Sequence, residues 1–475
     1  MHGAPVLFLP IIEWDFRVQR PQQLARCFAR AGERVYYAGL RLTGRPRPPR
    51  PVESGIWAVD LPGNPGLDPY RDRLSPADVR GALAALAELA AEHPLAGVWI
   101  VVHHPFWRPL AEAARSAFSG ALLFDCMDEF SAFADHASWT EEEVALAATA
   151  DLVAASSVRL HAKLAPHHPG CLLLPNACDP EHFGPAASRR PAGGRPVVGF
   201  FGGIHEWFDG PLVAALAAAR PEWDFWLVGD TYQGDVRALR DLPNVTFLGE
   251  LAYSDLPRVA SGFDVGIIPF RVNALTEATN PVKVYEMLAA GLPVVATDLP
   301  ELRGLGPGVA VARTPEEFAA RIAEALAEGP AAPREQRERW RRESWAERFL
   351  ILRQAMAEVS PAGLASPAEW TKSVPTRRTL GLSPANYGAA DLKRHVDRLE
   401  GDLRAREEER DQLIAQAAEM AVERLSLLEQ RDRVLAEAHR LRGVVASHQQ
   451  EIEDLRHPLR GRLAGRLRSL LGGLG

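Results

Sequence analysis

Short apolar runs, each closed by polar or turn residues and followed by a helical pattern, recur from Val6 to Arg313. "VLFL", "RVYYAG", "VWIVVHH", "ALLFDCMD", "DLVAASS" and "CLLLPN" form a first set; "VVGFFGG", "DFWLVGD", "VTFLGE", "DVGIIPF", "PVVATD" and "GVAVAR" form a second. Runs apolar throughout suit strands covered on both faces, as in parallel α/β sheets. Two such sets predict two doubly wound, Rossmann-like domains, parted near the Pro/Gly/Arg-rich "GPAASRRPAGGRP" at 184–196. Parallel sheets bind ligands at the carboxyl ends of their strands, so the functional residues are expected in a cleft between the two domains.

The expected organisation is a first domain over 1–190, a second over 191–332 and a closing helix over 333–359, with Trp340, Trp345, Phe349 and Leu352 free to bury. A proline-bearing linker over 360–390 follows. From Leu392, through Val396, Leu399 and Leu403 to Ile452 and Leu455, apolar residues keep a heptad spacing, broken at Arg406, Arg410, Arg424, Arg431 and His448. This predicts a C-terminal α-helical coiled coil over 391–457 and a homo-oligomer formed through it. The tail 458–475 sets Arg460, Arg462, Arg466 and Arg468 among leucines, a basic amphipathic pattern suited to peripheral membrane contact.

A net charge of -7 provides no general basic field, which argues against nucleic acid as a partner. The four cysteines are scattered and sit in or beside apolar stretches, as buried thiols do, so a reduced cytoplasm is expected. The N-terminal apolar stretch is too short for a signal peptide and no run of eighteen apolar residues occurs, so a cytoplasmic location is expected, at the inner face of the plasma membrane if the tail binds there. No His, Cys or Asp grouping has metal-ligand spacing, and GxGxxG, GxxxxGK[ST] and GxSxG are absent. Redox dinucleotide binding, P-loop ATPase chemistry and a serine-hydrolase elbow are therefore not expected.

"NPVKVYEMLAAGLPVVATDLPEL" carries the strongest chemical signal. Asn280 suits a helix cap and Pro281 the first helical position, which puts Lys283 in the first turn, where free N–H groups already form a positive end. A cation there calls for an anion, and helix N-termini gather phosphates. Glu286 falls on the same face, where a carboxylate accepts hydrogen bonds from sugar hydroxyls. The plainer alternative is a surface ion pair between Lys283 and Glu286. Gly202 and Gly203 follow a strand and permit close approach to a diphosphate, and Arg271, Thr279, Asn280 and Lys283 are expected to converge on one pocket. In the first domain, Glu13, Trp14 and Asp15 follow the first strand and Arg20 opens the next helix, facing an acceptor; the alternative for Asp15 is a salt bridge to an arginine. His104 and Asp128, beside His103 and Asp125, are the candidate general bases.

The ordered motifs "WDFRVQRPQQLA", "FDCMDEFSAF", "DLVAASS", "LPNACDPEHF", "GFFGGIHEWFD", "DVGIIPFR" and "NPVKVYEMLAAGLPVVAT" resemble the GT-B glycosyltransferases, group 1 and family 4-like, especially the bacterial ones that build teichuronic-acid-type and capsular polysaccharides. The resemblance spans about residues 5–355. It implies a GT-B fold, Glu286 on the nucleotide ribose, and Lys283, Asn280 and Thr279 on the diphosphate. The chain departs from many relatives in two places: Ala278 stands where they have a glutamate, with Glu277 one position out of step, and Ile204, His205, Glu206 and Trp207 stand where they have basic residues. The implied activity is transfer of a sugar from a nucleotide-diphosphate sugar, the donor substrate, to a surface polysaccharide or lipid-linked glycan, with no separate cofactor. The rival readings are a catalytically inactive GT-B scaffold in a glycan-assembly complex and a nucleotide-sugar epimerase.

Overall fold

The computed structural model describes residues 4–132, 137–184, 194–232, 234–328, 339–340 and 342–359. The linker, coiled coil and tail expected from the sequence lie outside the described residues.

The first sheet contains β1 (Val6–Leu9), β2 (Val35–Ala38), β3 (Arg50–Glu53), β4 (Ile56–Val59), β5 (Trp99–Val102), β6 (Ala121–Cys126), β7 (Leu152–Ala155) and β8 (Cys171–Leu173). Its order is β3-β4-β2-β1-β5-β6-β7-β8. Every pairing is parallel except β3 with β4 at the edge. The second sheet contains β9 (Val197–Phe201), β10 (Asp224–Val228), β11 (Val245–Gly249), β12 (Val265–Ile268), β13 (Val294–Thr297) and β14 (Val309–Ala312), ordered β11-β10-β9-β12-β13-β14 and wholly parallel. Strands β1, β5, β9 and β12 are apolar and buried along their whole length, as sheets covered by helices require.

Strand order reverses at β1/β5 in the first sheet and at β9/β12 in the second, and the loops leaving those strands carry the chemistry. Both sheets belong to one compact unit, Met1–Pro375. Trp340 is buried in the second sheet's core, while Trp345, Phe349, Leu352 and Met356 of helix Trp345–Val359 bury in the first sheet's core, with Phe349 edge-on to Phe28 at 4.9 Å. The chain thus crosses back to the first sheet after completing the second. Cys27, Cys126 and Cys178 are buried free thiols and Cys171 is half-buried. Among the described residues no helix is long and apolar enough to cross a membrane.

Candidate active site

The loop after β1 is anchored by the helix that follows it, Arg20–Arg30. Gln19 and Gln22 form a reciprocal cap, and the Gln22 amide, wholly buried, donates to the Glu13 carbonyl at 3.1 Å and the Arg17 carbonyl at 3.0 Å. That holds residues 13–17 in one shape without regular structure. Arg20 was expected to face the cleft; it is instead fully buried in a bidentate pair with Asp125 at 2.7 and 2.8 Å, and donates also to the Leu174 carbonyl and to Asn176 Oδ1. Burial alone would raise the Asp125 carboxyl, but Arg20 and His103 outweigh it and hold it well below the usual carboxylate range. His103 Nε2 stands 3.2 Å from Asp125. These residues are scaffold. Glu13 accepts from the Arg41 amide, Trp14 lies edge-on to Tyr37, and exposed Asp15 pairs with Arg50 at 2.8 Å, which is the salt-bridge alternative.

The polar chain continues into the second sheet's half of the molecule. Asn280 was expected to cap a helix and bind diphosphate, yet helix Val282–Ala289 is capped at Pro281 and Asn280 is buried. Its Oδ1 accepts from the Asn176 amide at 3.0 Å, and its Nδ2 donates to the Tyr285 hydroxyl and to Glu301, each at 3.1 Å. Its side-chain hydrogen-bonding capacity is spent joining the two halves. Thr279 Oγ1 donates to the Leu275 carbonyl at 2.8 Å, and half-exposed Arg271 lies 3.8 Å from Asp235. Among the described residues, the side chains of Arg271, Thr279 and Asn280 thus bond to groups other than Lys283 and one another.

Lys283 does meet the first of the two glycines. Gly202 has φ of +140°, and a Cβ there would lie 1.7 Å from Lys283 Cε and 2.8 Å from its Nζ, so the lysine stem runs across the space that the missing side chain leaves. Burial lowers the Lys283 pKa, Glu286 opposes this and Arg17 adds to it. Glu286 is 5% exposed; burial pushes its carboxyl up to about 7, against the pull of Lys283 and a hydrogen bond shared with Tyr253. The Tyr253 hydroxyl accepts from Gln23 of the first half at 3.0 Å, and its ring stacks on His182 at 4.4 Å. Glu286 is buried and Lys283 half-buried, and burial shifts both, so the two do not form a surface ion pair.

The sequence reading missed Arg17. From the first half, it reaches the second: Nε donates to Glu250 at 2.6 Å, Nη2 lies 3.7 Å from Asp230, and a Cβ on Gly203 would sit 2.6 Å from Nη1. Glu250 is 233 positions away in sequence, so no local pattern announces the contact.

The two candidate bases differ. His104 is 1% exposed among the rings of Tyr70, Phe106, Phe130 and Trp139, and its Nδ1 accepts from the Phe106 amide at 3.0 Å. Burial, with Arg73 adding, pushes it down to about 3. Asp128, beyond the carboxyl end of β6, is partly exposed, and burial pushes its carboxyl up to about 6. At the family departures, Ala278 is fully buried in the first sheet's apolar core, where a glutamate would be an unpaired buried charge, and Glu277 pairs with Arg159.

Residues 195–328 match the family described as "Glycosyl transferases group 1". A protein of Bacillus subtilis (strain 168), TuaH, named as a glycosyltransferase of teichuronic acid biosynthesis, is 38% identical over 107 residues. The match takes in 22% of this chain and 27% of that relative, so the chain spans about a quarter of the length of the curated relative it matches. Among solved structures, the sucrose-phosphate synthase of Thermosynechococcus elongatus aligns over 75% of this chain and 99% of its own, with 18% identity and a TM-score of 0.59. HepE of Anabaena, solved with UDP and glucose, aligns over 74% and 99%, with 15% identity and a TM-score of 0.54. A UDP-forming trehalose-phosphate synthase of Burkholderia xenovorans aligns over 76% and 100%, with 15% identity and a TM-score of 0.55. These neighbours share the GT-B fold of two facing parallel-sheet domains.

Proposed function

We propose, from a GT-B fold whose residues 195–328 match the group 1 glycosyltransferases, that this protein transfers a sugar from a nucleotide-diphosphate donor to a glycan acceptor. The observation that carries the reading is Lys283 laid over Gly202, one helical turn from buried Glu286, at a parallel-sheet switch point. The acceptor hydroxyl attacks the sugar's anomeric carbon, the bond from that carbon to the diphosphate oxygen breaks, and the nucleoside diphosphate leaves with the electron pair. Negative charge grows on the departing diphosphate, so a cation placed beside it stabilises the transition state more than the ground state. Lys283 supplies that cation, and Glu286 accepts hydrogen bonds from the nucleotide ribose. In an inverting transfer Asp128 takes the acceptor proton: with a pKa of about 6 it is ionised near neutrality yet still basic, whereas His104, at about 3, is a weak base with one nitrogen committed.

The named relative points to a polysaccharide of the cell envelope as acceptor, and the UDP named with two structural neighbours makes UDP-sugars the first donors to try. The coiled coil would join copies of the chain, and the basic tail would hold them at the inner face of the plasma membrane, near a lipid-linked acceptor. Calorimetric titration of UDP, GDP and dTDP into wild type and Glu286→Ala tests the donor site. One nucleotide should bind wild type and lose that binding in the variant; binding unaffected by Glu286→Ala would refute the assignment.

A further inference from the structure

Two cations from opposite halves of the molecule stand over consecutive glycines. Lys283 crosses Gly202, and Arg17 Nη1 would lie 2.6 Å from a Cβ on Gly203. The pair is electrostatically unfavourable as it stands, since Arg17 works with burial to lower the Lys283 pKa. Arg17 is held from behind by Glu250 at 2.6 Å and loosely by Asp230 at 3.7 Å. Its Nη2 is buried and makes no hydrogen bond among the described residues, so one end of the guanidinium retains donor capacity. Like charges brought together over glycine backbone, with a donor unspent, describe a site for a multiply charged anion.

The second half offers no basic residue of its own directly after the glycine pair, where Ile204, His205, Glu206 and Trp207 follow. We infer that Arg17 fills this role across the cleft: it is a donor-binding residue that clamps the diphosphate opposite Lys283. This rests on the transferase reading and adds to it a residue from the other half of the chain. The Arg17 loop is built for the task, because Gln22 fixes the Arg17 carbonyl while Glu250 orients Nε and leaves the Nη face toward Gly203. A guanidinium can grip two phosphate oxygens at once, which a lysine cannot. Because Arg17 and Lys283 belong to different halves, a bound diphosphate also ties those halves together.

Titrating UDP, GDP and dTDP, and the corresponding nucleosides, into wild type, Arg17→Ala and Arg17→Lys tests the inference. For the nucleotide that wild type binds, Arg17→Ala should weaken binding by at least about tenfold, and Arg17→Lys should recover part of the loss. Arg17→Ala should weaken binding of the nucleoside diphosphate far more than binding of the nucleoside without phosphate. If Arg17 were only a strut between the halves, both would weaken alike, and the inference would be overturned. Affinity of Arg17→Ala within about twofold of wild type would overturn it too, leaving the transferase reading in place. Failure of wild type to bind any of the three would remove the donor reading itself, and the Arg17 role with it.

Discussion

Replacing Lys283 with methionine isolates its charge, because methionine keeps an unbranched stem over Gly202 while removing the ammonium. A charge-assisted contact to phosphate contributes roughly 1.5–3 kcal/mol, so the direct loss is about 10- to 100-fold in affinity. A second effect acts through Glu286. Its carboxyl stands at about 7 with Lys283 opposing the effect of burial, so removing Lys283 moves it higher. A carboxylate accepts from the ribose more strongly than a neutral acid, so wild-type affinity should rise as pH increases through about 7, and in the variant this rise should move to higher pH. Calorimetry with UDP-glucose, GDP-mannose and dTDP-glucose at pH 6, 7 and 8 reads both effects, since the diphosphate charge of these sugars is constant over that range. Affinity within about twofold of wild type at all three pH values would refute the phosphate role of Lys283.

Three further outcomes are expected. Activity should fall as pH drops below about 6, where Asp128 becomes protonated, and Asp128→Asn should abolish that pH limb along with most of the rate; an unchanged profile would place the proton elsewhere. Asp125→Asn leaves Arg20 a buried cation without a counter-charge and should cost about 3–5 kcal/mol in urea unfolding near neutral pH. Because the folded Asp125 pKa is depressed, its contribution is present above the unfolded value of about 4 and is lost as pH falls through the folded one, so the variant's acid limb should be flatter. Deleting residues 390–475 should lower the oligomer mass in light scattering while donor binding persists; an unchanged mass would refute association through the coiled coil.

The apolar runs named in the sequence coincide with strands in both sheets, because a buried parallel strand needs side chains apolar on both faces and so writes its own signal. The edge pair β3–β4 escaped notice. β3 contains Pro51 and is largely exposed, as a proline-bearing edge strand can be, and Gly55 makes the turn with φ of +79°. At the site, Lys283 and Glu286 were legible because helix geometry alone puts them on one face. Asn280 misled because local capping preference gave way to a buried amide network joining Asn176, Tyr285 and Glu301. Arg17 left only an indirect trace, the polar density of "RVQRPQQ" beside an apolar strand; its partners lie in the other half.

The most direct test is release of nucleoside diphosphate from UDP-, GDP- and dTDP-sugars by the full-length chain, with membranes carrying envelope glycan as acceptor. One nucleotide class should be turned over, with acceptor accelerating release, and Glu286→Ala and Lys283→Met should abolish it. No release from any donor, or release equal in wild type and both variants, would contradict a transferase built on this cleft.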